Sequence, residues 1–170
     1  MIISLKMILR EQFKDAYDQT LLCAEALTSN DYKFVTQSGR EIKKTVRPRL
    51  IFPVCVVSDH YPALAFQARH FLKTNTTSVV QAPLITDVFA VDAITEMLNT
   101  PLNLLNYLAL RARFGEKIFA TNELTILGLH LRQNLWLDPQ LDGLALDESL
   151  ASNLDIAMFT ARRRARREDT

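Results

Sequence analysis

The chain is poor in glycine, with four in 170 residues. It holds no G-x-G-x-x-G, no P-loop and no G-x-S-x-G. That excludes a phosphate-cradling loop or a nucleophile elbow as the organising motif. Cysteine is as scarce. Cys23 and Cys55 stand in unrelated settings, and His60, His70 and His130 fall in separate segments, so no His/Cys group has zinc spacing. Both cysteines are expected as free, buried thiols of a reducing compartment. A net charge of +1 excludes a bulk polyanion binder and an acidic tail, so binding charge has to be local. No apolar run approaches the roughly 18 residues that a membrane helix needs. The N-terminal MIISLKMIL is short, lacks a cleavage site and reads as a strand rather than a signal peptide. These absences lead to the expectation of a cytoplasmic protein with no membrane partner.

What is present is apolar content. Hydrophobic residues make up 48% of the chain, enough for a sizeable core in one domain with a small appendage. The best-defined stretch is Leu50–Asp92, which reads as strand, helix, strand. Leu50 to Val57 is nearly continuous apolar sequence, the signature of a strand buried on both faces. Pro53 cannot donate to a ladder, so a bulge or a locally unpaired edge is expected there. Ser58–Asp59 can cap the following helix, with Pro62 in its first turn and Leu64, Ala68, Phe71 and Leu72 inward. A strand follows within Val79–Val91, and a unit of this size should be parallel and right-handed.

The flanking segments have their own signals. Ile2, Ile3 and Leu5 around Ser4 and Lys6 suit a strand over Ile2–Lys6. Phe13, Ala16, Tyr17, Ala24 and Leu27 form the buried stripe of a helix from about Leu9 to Thr28, with Gln12, Asp15 and Gln19 on another face. Ser38–Gly39 is the turn of a surface hairpin between Tyr32–Gln37 and Arg40–Val46. After Asp92, an expected N-cap, helices are expected over Ala93–Asn99, from Thr100–Pro101 to about Phe114, and from Thr121 or Asn122 to about Asn134. Asp138–Gly143 is a loop before a last helix opened by Asp147 and Glu148. The expected fold is therefore α/β: a small mixed sheet with a parallel strand–helix–strand unit, then a leucine-rich helical C-terminal half. The expected division is 1–92 and 93–170.

The segments IISLK, KDAYDQTLLCAEAL and RPRLIFPVCVVSDHYP, in that order, resemble the later part of a restriction-endonuclease-like fold, that of the PD-(D/E)xK nucleases and nuclease-related domains. The resemblance implies DNA as substrate and a divalent metal held by an acidic residue on one strand and a (D/E)-x-K on the next. The comparable triplet here is Ser4-Leu5-Lys6. Lys6 matches the catalytic lysine, but Ser4 stands where a carboxylate belongs, and only Met1–Ile3 precede it. No cofactor is certain; Mg2+ would enter only if an upstream acidic strand completed the site. Gln19 resembles the helix glutamine of RecB-like nucleases, although the tyrosine expected four residues on is Cys23.

Outside that resemblance, Asp59 and His60 lie where ligands collect in open sheets, though capping explains Asp59. Asp87 and Asp92 bracket the next strand without a metal spacing. Two basic groups are candidate phosphate contacts: Lys43, Lys44, Arg47 and Arg49 at the hairpin exit, and Arg162, Arg163 and Arg164 in the last helix. Leu102, Leu105, Leu108 and Ala112 share a helix face, as do Leu124, Leu127, Leu131 and Leu135. Both read as core that leaves an apolar face for a partner chain, with Trp136 as its anchor. Two functional expectations result. One is a restriction-endonuclease-like domain of DNA processing or defence, without catalysis in this chain alone. The other is a non-enzymatic scaffold that contacts another protein through its helical half.

Overall fold

A computed structural model describes residues 5–43, 47–57, 74–138 and 140–152, together with 154, 156 and 158; over 5–12 only the course of the backbone is described. Helix α1 (Leu5–Thr28) opens the fold. Leu5 and Lys6 belong to this helix, so the strand expected over Ile2–Lys6 does not exist at those two positions. Leu9 does not start the helix because Lys6, Met7 and Ile8 propagate it well. Its inner stripe is Phe13, Tyr17 and Ala24, close to expectation, but Leu27 is largely exposed. Ser29 ends the helix by accepting the Asp31 N–H at 3.0 Å.

The hairpin is present and short. Strand β1 (Phe34–Val35) pairs antiparallel with β2 (Glu41–Ile42). Gly39 takes φ 81° at the turn, a conformation that favours glycine.

Strand β3 (Val54–Val57) pairs in parallel with β4 (Leu84–Asp87), Val54 opposite Leu84 and Val57 opposite Asp87. The strand begins later than Leu50 because Pro53 interrupts the ladder. Ile51 already bridges Val80. Between the two registers Phe52 and Pro53 oppose Gln81, Ala82 and Pro83, which is the bulge that accommodates Pro53. The expectation that this strand is buried on both faces fails: Cys55 is buried while Val54 and Val56 are exposed. β4 is the strand buried throughout. The crossover helix expected after Ser58, with Asp59, His60, Pro62 and His70, lies outside the described residues.

The second half is helical: α2 (Val88–Met97), α3 (Pro101–Phe114) and α4 (Glu123–Gln133). Asp87 caps α2, its Oδ1 accepting the N–H groups of Phe89 and Ala90 at 2.9 and 3.0 Å. Asp92 therefore lies inside a helix and is not the expected cap. Apolar Val88, Ala90 and Val91 let the helix grow back to the end of β4. Thr100 and Asn122 cap α3 and α4 as expected. Helix α3 stops at Phe114 with Gly115 as its C-cap, as expected, and Gly115 opens a 3-10 turn at φ −55°. That turn leads to β5 (Ile118–Phe119), which pairs in parallel with β6 (Leu144–Ala145), a ladder the sequence reading missed. Residues 149–152 are again helical.

The architecture is a small mixed α/β fold; among the described residues the strands form three two-stranded ladders rather than one continuous sheet. Two apolar clusters meet at β4. Ile85 packs with Phe13, Tyr17 and Cys55 under α1. Leu84 packs with Ile94, Tyr107, Phe114, Ile126 and Leu127 of the helical half. Adjacent residues of one strand thus serve opposite faces, as the two-residue period of a strand requires. Gly128 lets the chain pack closely: a Cβ there would lie 2.5 Å from the Leu150 carbonyl oxygen.

Candidate functional site

Among the described residues, those singled out from sequence do not gather into one site. Lys6 lies in the first turns of α1. Gln19, also on α1, borders a cleft of about 380 Å3 between this helix and β3, together with Thr20, Cys23 and Leu27. Lys43, Arg47 and Arg49 are exposed around the exit of the hairpin. Lys44, Arg162, Arg163 and Arg164 lie outside the described residues. Among the described residues no group of three or more His, Cys, Asp or Glu side chains is placed to hold a metal. A hard divalent cation needs such oxygen donors, so the described residues do not fit Mg2+ and no catalytic step is derived through it.

The two cysteines differ. Both are free, but Cys23 is exposed, contrary to the expectation of two buried thiols. It sits one turn along α1 from Gln19, on the flank that overhangs the cleft. Cys55 is buried under the same helix, 3.9 Å from the Thr20 hydroxyl, and burial pushes its thiol pKa up. Tyr17 is the other polar group under α1. Its hydroxyl accepts the Asn75 N–H at 2.6 Å, and burial raises its pKa. A raised thiol pKa lowers the thiolate fraction, so Cys55 is not an activated nucleophile.

The densest polar cluster is one that sequence reading passed over. Glu123 opens α4 and is buried. Arg111 Nε donates to its Oε1 at 2.7 Å and Arg111 Nη2 to its Oε2 at 2.9 Å, a fork-to-fork pair. The Tyr107 hydroxyl donates to the same Oε1 at 2.5 Å. Burial, and then the Glu123 charge, hold the Tyr107 hydroxyl well above its ordinary pKa. Burial opposes the Arg111 charge, but Glu123 outweighs it and the guanidinium pKa is raised. His130 meets the Tyr107 ring edge-on, with centroids 5.0 Å apart. Its Nδ1 is buried without a hydrogen-bond partner among the described residues, and burial lowers its pKa. The cluster ties three buried polar side chains to one another by direct hydrogen bonds. Its geometry is that of a structural clamp between α3 and α4, not of an acid–base pair poised to exchange a proton. Tyr107 and Arg111 are four residues apart on one helix, and Glu123 and His130 seven apart on another. Polar residues at helical spacing within apolar stripes were the signal for it.

Because this clamp occupies the inner face of α3, two of the leucines expected as core, Leu102 and Leu105, turn outward, while Leu108 packs against the core. Leu102 is 76% exposed and Leu105 52%, while Tyr107, Arg111 and Phe114 are buried. On α4, Leu127 is buried as expected, but Leu131 is exposed. Asn106 Nδ2 donates to Asn134 Oδ1 at 2.7 Å, tying the middle of α3 to the end of α4. Leu102 lies four residues before Asn106 and Leu131 three before Asn134, so both leucines share the side of the molecule this bond bridges. Asn134 and Leu135 both take positive φ, 57° and 47°. The left-handed pair drives Leu135 into the core and turns Trp136 outward, 64% exposed. A branched side chain at positive φ costs about 1 to 2 kcal/mol, a strain the buried Leu135 offsets.

No protein-family model matches the chain, and no curated protein or solved structure matches it either. Among the described residues no helix is long and apolar enough to cross a membrane.

Proposed function

We propose that the chain is a non-catalytic module on a nuclease-like α/β scaffold that binds another protein through its helical half. The observation that carries this reading is the exposure of Leu102, Leu105, Leu131 and Trp136, each within four residues along the chain of the Asn106–Asn134 bridge. Large exposed apolar side chains mark interaction surfaces where they gather on one side, and tryptophan is among the residue types enriched as anchors in them. The placement of Lys6 in a helix and the scattered carboxylates support the non-catalytic part. The test is quantitative affinity capture with the native chain and a Leu102→Ser/Trp136→Ser double variant. One stoichiometric protein retained by the native chain and lost from the folded variant is expected. An identical set of captured proteins refutes the reading.

A second reading, contact with DNA, is favoured by the joint exposure of Lys43, Arg47 and Arg49 at the hairpin exit. Each phosphate contact steepens the salt dependence of affinity. Duplex binding that weakens with salt, with a shallower dependence in Arg47→Ala/Arg49→Ala, is the expected result. Binding unchanged by that variant removes this reading.

A further inference from the structure

The open edge of β3 has no use in either reading. The register of the ladder fixes where its backbone groups point. Leu84 N–H donates to the Pro53 carbonyl at 2.9 Å; upstream, Ile51 N–H donates to Val79 at 2.8 Å and the Ile51 carbonyl accepts from Gln81 at 2.9 Å. Along a parallel strand, the residues that bond one neighbour alternate with those that face away. Pro53, Cys55 and Val57 therefore face β4, and the N–H and C=O groups of Val54 and Val56 point away from it. Among the described residues nothing hydrogen-bonds to those groups. A bare edge of this kind is a template for another strand.

The surroundings of the edge suit that addition on both faces. On one side α1 overhangs it. The cleft of about 380 Å3 runs between Ala16, Thr20, Cys23 and Leu27 of the helix and the stretch from Ile51 to Val56. On the other side Val54 and Val56 are 37% and 46% exposed. A strand laid along β3 points alternate side chains into the cleft and over these valines. The valine face is apolar, and the cleft wall is mixed but uncharged, with Gln19, Thr20 and Cys23 beside Ala16, Ala24 and Leu27.

We propose that the edge of β3 accepts an extended segment of another polypeptide as a third strand. The segment's alternate residues are apolar and uncharged where they enter the cleft, because Ala16, Cys23 and Leu27 offer no charge partner there. Main-chain hydrogen bonds to Val54 and Val56 supply affinity, and the small-walled cleft supplies selectivity. A second copy of this chain is a poorer occupant. Pairing antiparallel through the same edge, it would carry its own α1 onto the same face. Paired strands lie about 4.8 Å apart, whereas packed helices need about 8–10 Å. This surface is separate from the helical strip, so each proposal stands or falls alone.

The probe is a synthetic octapeptide of alternating threonine and valine, together with the same peptide N-methylated at alternate residues. Amide hydrogen exchange is followed by NMR, and Cys23 alkylation by mass spectrometry. In the free chain the Val54 and Val56 amides should exchange fast. The unmodified peptide should protect them at least tenfold, leave Cys55 and Val57 unchanged and slow alkylation of Cys23. The N-methylated peptide facing the edge with its blocked side should do none of this. Val56→Pro removes an outward N–H without touching the ladder to β4, and should weaken peptide binding tenfold or more. Should that variant fail to fold, Leu27→Glu, which places a charge at the cleft wall, should weaken binding comparably. Equal binding of both peptides, or no protection at saturating peptide, overturns the proposal. So does protection of Val54 and Val56 already present in the free chain, or protection that grows with protein concentration alone, which would assign the edge to a second copy.

Discussion

Removing the carboxylate of Glu123 should be among the most damaging single changes to this fold. Glu123 accepts from Arg111 through both oxygens, at 2.7 and 2.9 Å, and from Tyr107 at 2.5 Å. Glu123→Leu leaves a buried guanidinium without its counter-charge and a buried hydroxyl without its acceptor. Breaking a buried pair from one side costs about 3–5 kcal/mol, and an orphaned hydroxyl adds about 1–3 kcal/mol. The whole stability of a domain is about 5–15 kcal/mol, so the variant should be partly unfolded or close to it at room temperature. The informative comparison is the triple variant Tyr107→Phe/Arg111→Met/Glu123→Leu. With the three polar side chains of the clamp replaced by apolar ones of similar volume, most of the loss should return, to within about 1–2 kcal/mol of the native chain. Urea unfolding followed by far-ultraviolet circular dichroism measures both. The reasoning is refuted if Glu123→Leu costs less than about 1 kcal/mol, or if the losses of the single variants simply add in the triple.

Other expectations follow from the same packing. Gly128→Ala should destabilise by about 1 kcal/mol or more in thermal unfolding, although alanine is the better helix former, because its Cβ would meet the Leu150 carbonyl oxygen. His130 has a lowered pKa in the folded state through burial. The unfolded chain therefore binds the proton more readily, so its contribution is constant above about pH 6.5 and stability falls as pH drops below that value. His130→Phe should flatten this part of the stability–pH curve, and an unchanged slope would contradict the assignment. Asp87→Ala should cost about 1 kcal/mol through loss of the α2 cap, read as a lower urea midpoint with an unchanged slope. In the native chain Cys23 should react with iodoacetamide while Cys55 stays protected, since burial both covers the Cys55 thiol and raises its pKa; equal labelling under native conditions would contradict that placement.

Much of the fold was legible where the signal was local. Thr100–Pro101 and Asn122 mark helix starts because a cap side chain and the first turn are all that is needed. Gly39 marks the hairpin because its φ is fixed by two or three residues. The parallel pairing of β3 with β4 was legible from the length of the segment between them, and the irregularity at Pro53 from its missing N–H. What failed depended on distant partners. Lys6 reads as a strand end when only its apolar neighbours are weighed, yet those residues extend a helix. Asp92 reads as a cap until the end of β4 is known, when Asp87 takes that place. Leu102 and Leu105 look like core until Glu123 is seen to neutralise Arg111 from another helix. The candidate sites fared the same way. Gln19 borders a cleft and Trp136 is exposed, whereas Lys6 lies in the first turns of α1 rather than at a strand end. The outward strip could be found only after the clamp had claimed the inner face of α3.

The central claim is that the strip around Trp136 is a protein-binding surface, and site-specific photocrosslinking tests it most directly. A photoreactive aromatic residue is placed at position 136, and, as a control, at position 14 on the exposed side of α1. Irradiation in whole-cell extract should give one dominant protein adduct from position 136 and none of that mass from position 14. No adduct from position 136, or the same adducts from both positions, would contradict the account.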